Sequence, residues 1–148
     1  MGPVTAIRLY LTQWLNFSGR ARRFEIFWYI LFHIAMILIF VWLFVSTGNG
    51  AASLEAGTLN SAGQGAAILA MIYGIFTTIA TTALMVRRFH DIGYSGWLVL
   101  LFHGLFWVPF LGAVAFLGLW LWLCLGNGTA GMNTYGPDPR FQQSIAFD

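Results

Sequence analysis

Three polar clusters hold the side chains with the right types and spacing for chemistry: SGRARRFEIFW at 18–28, RRFHDIGYSGW at 87–97 and GTAGMNTYGPDP at 128–139. They supply Arg20, Arg22, Arg23 and Glu25, then Arg87, Arg88, His90 and Asp91, and last Asn133, Tyr135 and Asp138. Guanidinium forks match oxyanions bidentately, so arginines gathered in this way could grip an anionic group, above all a phosphate. The competing reading is structural: Glu25 and Asp91 neutralise arginines across helices and tie the elements together. His90 stands next to Asp91, but helix neighbours do not face each other, so adjacency makes no acid–base pair. No HExxH, CxxC, P-loop or GxSxG accompanies these residues. Two acids in one layer would support a divalent ion only weakly. No catalytic residue, metal or cofactor is expected, and the chain is read as not an enzyme.

The elements that must position these clusters are apolar. Of 148 residues, 59% are hydrophobic and 8% charged, against about a quarter charged in soluble domains. Too few polar groups remain for a water-facing shell, so the bilayer is the solvent for the apolar runs. All seven cations are arginines, four of them before the first run, and the net charge is only +2. They orient the chain, and no nucleic-acid partner is expected. A cleavable signal peptide would need an apolar stretch of about 7 to 15 residues; the longer first run reads as an anchor. The single cysteine, Cys124, is read as a small core residue.

Residues 1–17 read as an interfacial amphipathic helix, with Val4, Ile7, Leu11, Trp14 and Leu15 on one face. The first span runs over 24–45 behind Arg20, Arg22 and Arg23, which place its start in the cytoplasm. Residues 46–65 form a periplasmic loop, and the second span, 66–86, returns to Arg87 and Arg88. Along it Ala66, Ala70, Gly74, Thr78 and Thr82 recur every fourth residue. Such a stripe is a helix-packing seam first and a polar pathway second.

The third apolar region, 97–125, would be about 43 Å long as one helix, too long for a core of about 30 Å. Trp107, Pro109 and Gly112 interrupt it, which favours a hairpin with arms at 91–108 and 110–125 over one bent helix. The hairpin also puts Trp97, Trp120 and Trp122 near one interface and Trp107 near the other. Residues 126–148 then form a cytoplasmic tail, and all three polar clusters meet at one face. With three spans they would not. His33 and His103 lie inside apolar runs, where an ionisable residue marks a functional site. The two could pair in a proton or ion path, or be neutral rings satisfied by threonines or carbonyls.

GRARRFEIFW, RRFHDIGYSGW, the P-x-x-G step from Pro109 to Gly112, and GTAGMNTYGPDP, taken in order, resemble the bacterial inner-membrane family catalogued as domain of unknown function 805, over roughly residues 12–139. The resemblance implies a small polytopic protein of the bacterial cytoplasmic membrane with three or four spans, and no established reaction or cargo. Leu98 stands where many members have a second tryptophan, and Thr134 where a basic residue often precedes Tyr-Gly-Pro-Asp-Pro.

Together these readings lead to a single all-helical integral membrane domain of four spans, with three as the alternative, and both termini cytoplasmic. The expected role is an oligomeric channel-like or transport-related assembly. The alternative is a non-transporting module binding anionic lipid headgroups or a partner membrane protein through the arginine layer. Membrane lipids and a homo-oligomer are the expected partners.

Overall fold

A computed structural model describes residues 2–142. Among them all regular structure is helical: α1 Pro3–Thr12, α2 Arg23–Ser46, α3 Ala51–Glu55, α4 Ser61–Ile92, α5 Leu98–Phe106, α6 Leu111–Leu125 and α7 Pro139–Gln142. One isolated bridge joins Asn133 to Gly136. The expected tail is therefore described only as far as residue 142, and residues 143–148 lie outside the described part.

Two helices are long and apolar enough to cross a membrane, α2 with 24 residues and α4 with 32. At 1.5 Å per residue they measure about 36 and about 48 Å. Only 11% of the most apolar 18-residue stretch of α2 is buried, and 28% of that of α4. A core helix of a soluble domain would be covered; these leave their apolar side chains exposed, as candidate membrane spans do. The arms of the third apolar region are shorter, nine residues in α5 and 15 in α6.

The chain folds as two units, one of residues up to Tyr29 with those from Ile79 onward, the other Ile30–Thr78. In the first unit, Tyr29 of α2 is the meeting point of four helices. Its ring lies 4.7 Å from Tyr10 of α1 and stacks 5.7 Å from Trp120 of α6. Its hydroxyl accepts a hydrogen bond from Thr81 Oγ1 of α4 at 2.7 Å. Ala80, Ala83, Leu84 and Phe89 carry this core along α4, with Val99, Leu119 and Leu123 opposite.

The third apolar region turns back. Phe102 of α5 and Trp122 of α6 both pack on Phe89, at 6.2 and 5.6 Å between ring centres, which a single bent helix could not arrange. The reversal occupies Trp107–Phe110, where Phe110 takes φ 61°, an uncommon region for a bulky residue. Trp107 and Phe110 are exposed there. The first arm starts later than the expected residue 91, because α4 continues through Asp91 to Ile92 and Gly93, at φ 93°, ends it.

In the second unit, the segment between α2 and α4 is latched by asparagines. Asn49 Nδ2 donates to Thr47 Oγ1 and Asn60 Oδ1, at 2.6 and 2.9 Å. Asn60 Oδ1 also accepts from Gly63 N at 2.8 Å, the geometry of a helix N-cap. A Cβ at Gly63 would stand 2.2 Å from Asn49 Nδ2, so the latch requires glycine. The Gly, Ser, Ala and Asn of residues 46–65 suggest a plain loop; α3 and this latch give it structure.

Candidate functional site

All three polar clusters fall in the first unit, and Asp91 joins them. Its side chain is 6% exposed. Oδ1 accepts from Arg20 Nε at 2.9 Å, Oδ2 accepts from Arg88 Nη1, and its backbone oxygen accepts from Thr129 N at 2.8 Å. One residue, through its carboxylate and its backbone oxygen, thereby ties the turn before α2, the end of α4 and the segment after α6. A Cβ on Gly128 would lie 2.0 Å from Asp91 Oδ2, so that segment crosses the carboxylate only as glycine.

The guanidinium groups of Arg20 and Arg88 are spent largely on backbone carbonyls. Arg20 donates to Gly131 O at 2.6 Å and to Thr129 O. Arg88 donates to Leu123 O at 2.9 Å and to Gly126 O, satisfying the orphan carbonyls at the end of α6. Asn133 Nδ2 bonds His90 O and Thr129 Oγ1 at 2.9 and 2.8 Å, while its Oδ1 accepts from Tyr135 N. His90 turns away from Asp91: Nδ1 lies 3.1 Å from Gly19 O, and its ring stacks on Tyr135 at 3.9 Å and 3°.

Asp138 is buried and clamps Arg140 through its carboxylate at 2.6 Å, while also accepting from Gly131 N at 3.2 Å. The Arg140 guanidinium holds the Asp138 carboxyl well below the usual carboxylate range. Glu25 accepts from Arg22 N at 2.9 Å and interacts electrostatically with Arg87. Arg87 is 2% exposed; it donates to Gln13 Oε1 and, at 3.4 Å, to Ala83 O, while its Nη2 has no hydrogen-bond partner among the described residues.

Hollows among the described residues border this layer. The first, of about 210 Å³, is lined by Arg22, Arg23, Arg88, Asp91, Asn127 and Arg140, with Arg23 Nη1 3.4 Å from Asn127 Oδ1. Four cations thus face one carboxylate that is already shared. The second, of about 180 Å³, is polar, with Gln13, Asn16, Ser18, Arg20, Arg87 and Tyr135 in its walls. The third, of about 450 Å³, is mostly apolar and includes Phe17, Thr82, Val86, Trp97, Val99 and Leu100.

The intramembrane residues go elsewhere. His33 Nδ1 lies 2.9 Å from Tyr73 OH in the second unit, and His103 Nδ1 lies 2.8 Å from Val99 O. Each imidazole has a neutral partner of its own. Thr78 Oγ1 donates to Gly74 O of its own helix at 2.8 Å, Ala66 is buried, Ala70 is half-buried, and a Cβ on Gly74 would meet no atom within 4 Å. Thr82 lines the apolar hollow. Among the described residues no three His, Cys, Asp or Glu side chains gather as metal ligands.

Residues 14–137, which carry this layer except Gln13, Asp138 and Arg140, match the family described as Protein of unknown function (DUF805). The chain belongs to that family. It is 35% identical over 135 residues to the inner membrane protein YhaH of Escherichia coli K12, covering 89% of this chain and 93% of that one. Inner membrane protein YhaI of the same organism is 33% identical over 133 residues, 88% of this chain and 92% of its own. No solved structure matches. Apolar lipid-facing helices and inner-membrane relatives together make this a membrane protein of a family whose function is unknown.

Sequence reasoning missed Gln13, Asn127, Thr129 and Arg140. Gln13 acts through a hydrogen bond from a distant segment and Thr129 through its bonds to Asp91 O and from Arg20, and nothing in their local spacing marks them. Arg140 was legible as the acid–x–base pair Asp138-Pro139-Arg140.

Proposed function

We propose that the chain is a non-transporting membrane module that holds anionic lipid headgroups at its arginine layer. One observation carries this: the 210 Å³ hollow in which Arg22, Arg23, Arg88 and Arg140 surround Asp91. Asp91 is already engaged by Arg20 and Arg88, and Asp138 by Arg140, so the excess of positive charge facing this phosphate-sized space comes from Arg22 and Arg23. Arg23 and Arg140 are exposed and stand where a headgroup enters. In this reading α5 and α6 complete four spans, both termini are cytoplasmic, and the layer meets the anionic leaflet, where each arginine adds about 1 kcal/mol of attraction. Native mass spectrometry with phosphatidylglycerol and phosphatidylcholine tests it. Preferential retention of phosphatidylglycerol should fall when Arg23 and Arg140 are changed to glutamine; unchanged preference would remove the proposal.

A second reading is a channel-like or transport-related homo-oligomer. It is supported by the open space over Gly74 on an otherwise apolar helix, which admits close approach of a helix from another copy or a partner membrane protein. Ion or solute flux into liposomes, abolished by Gly74→Leu, is its expected signature; no flux from reconstituted oligomer would count against it.

A further inference from the structure

The mostly apolar hollow beside α4 and α5, about 450 Å³, shares no lining residue with the hollow of Arg22, Arg23 and Arg140. Its α4 wall is Thr82, Val86 and His90, spaced by four residues and so stacked on one helix face over about 12 Å. Val99 and Leu100 of α5, with Phe17 and Trp97, supply the other apolar walls. Among the described residues no arginine or carboxylate lines it. Polar groups gather around His90 instead. The Tyr135 ring stacks on the imidazole at 3.9 Å, and Gly96, next to Ser95, comes so close that a Cβ there would lie 3.1 Å from His90 Nε2. His90 Nδ1 lies 3.1 Å from Gly19 O. A carbonyl only accepts, so Nδ1 carries the hydrogen and the neutral ring leaves Nε2 as an acceptor. Nε2 bonds no described residue, and unlike Arg87 Nη2 it is not sealed within the protein. A lone-pair acceptor in an uncharged hollow selects a hydroxyl. An anionic oxygen would bring lone pairs of its own, with no cation there to offset its lost hydration.

We propose that this hollow binds a neutral acylglycerol, its free hydroxyl donating to His90 Nε2 and one acyl chain lying along Val86 toward Thr82. The ester carbonyls of such a lipid only accept, and the Ser95 hydroxyl, whose oxygen accepts from Trp97 N at 3.4 Å, keeps its hydrogen for them. Depth agrees with this order. Arg87 and Arg88 mark the membrane edge in the four-span orientation, so His90 stands at the level of a lipid's glycerol and Thr82 within the hydrocarbon. The volume lies within the range of ligand-binding pockets, and the exposed Leu100 and Leu101 leave the route of entry on the bilayer side. The site is thus distinct in place and in charge from the arginine hollow: one takes an anionic head, the other an uncharged one.

Photo-cross-linking of the full chain in phosphatidylcholine nanodiscs, with a diacylglycerol carrying a diazirine in one acyl chain, tests this. Adducts on the half-buried Val86 are the expected result. Leu100→Trp enlarges an exposed wall residue into the hollow and should lower those adducts about tenfold. Unlabelled diacylglycerol should displace the probe about fivefold better than its O-methyl ether, which keeps the chains and loses the hydroxyl donor. In His90→Phe, which keeps a ring against Tyr135 and removes Nε2, the two competitors should become equal. Thermal unfolding of each variant identifies loss of fold, and if His90→Phe does not fold, the ether comparison in the wild type and Leu100→Trp decide the question. Equal competition by the ether in the wild type would overturn the proposal. So would adducts insensitive to Leu100→Trp or confined to exposed positions of α2 such as Leu38 and Trp42. Stronger displacement by phosphatidylglycerol or by a quinol than by diacylglycerol would give the hollow to that ligand instead. If adducts disappear only when Arg23 and Arg140 are changed to glutamine, the headgroup hollow accounts for them and this site falls.

Discussion

Asp91 shows how a single ionised group can organise a membrane-edge structure. Two arginines whose side chains are each 1% exposed converge on it, and removal of one member of a buried pair leaves an uncompensated charge. Asp91→Asn keeps the shape and removes the charge, so it should cost about 3 to 5 kcal/mol, read as a lowered thermal midpoint in detergent. Gly128→Ala drives a methyl into the same carboxylate and should cost about 1 to 3 kcal/mol, by the same measurement. Asp138 belongs to this scale too. Its carboxyl is held low by Arg140, so the contribution of the clamp is complete above the unfolded value of about 3.9 and is lost only as pH falls through the depressed folded value. The Gly131 amide, bonded to Asp138, should therefore show an unchanged NMR shift until the pH is well below the ordinary carboxylate range in the wild type. With Arg140→Gln it should move within that range, near about 3.9.

At the scale of elements, α4 does most of the positioning. Its second half carries Thr81, the alanines and Phe89 into the core, and its last turns deliver Arg87, Arg88 and Asp91. The helix runs past the expected span end at Val86 because burial of Arg87 and Arg88 continues the packed face. The Thr81–Tyr29 hydrogen bond is the clearest polar tie between α4 and α2 in the first unit. Thr81→Val should weaken unfolding stability by about 0.6 kcal/mol and by no more than about 1.7. A double-mutant cycle with Tyr29→Phe should show that most of this loss is shared; independent, additive losses would mean that the bond contributes nothing. The small-residue stripe on α4 divides in function: Ala66 is buried, Gly74 stands open and Thr82 faces a groove. Four-residue spacing identifies a helix face, but which neighbours that face meets depends on the other helices.

For the whole molecule, the decisive event is the reversal at Trp107–Phe110, because it returns α6 so that Leu123 and Gly126 reach Arg88. If α5 and α6 complete two crossings, a reporter fused after residue 148 should report the same side of the membrane as one fused before α1. Opposite sides would establish an odd number of spans. At 15 residues, or about 22 Å, α6 is short for a core of about 30 Å, so local thinning of the bilayer or flanking tryptophans must cover the difference.

Composition and periodicity by themselves determined that this is a helical membrane protein, where its long helices run, and that its charges sit at helix ends. These properties follow from local transfer free energies: about 20 apolar residues in a row have one favourable solvent, whatever the rest of the chain does. The recognisable motifs likewise marked Arg20, Arg88 and Asp91 as belonging to one layer. Only the tertiary structure decided what each does there, because a guanidinium can donate to any of several oxygen partners, and the choice depends on which carbonyls come within about 3 Å. Arg20 and Arg88 became ties to Asp91 and the segment after α6. Arg140 went to Asp138, Arg23 was left facing a hollow, and Arg87 was buried with its Nη2 unpartnered among the described residues. That division among arginines of identical chemistry is set by distance and burial, neither of which is written in residue type or spacing.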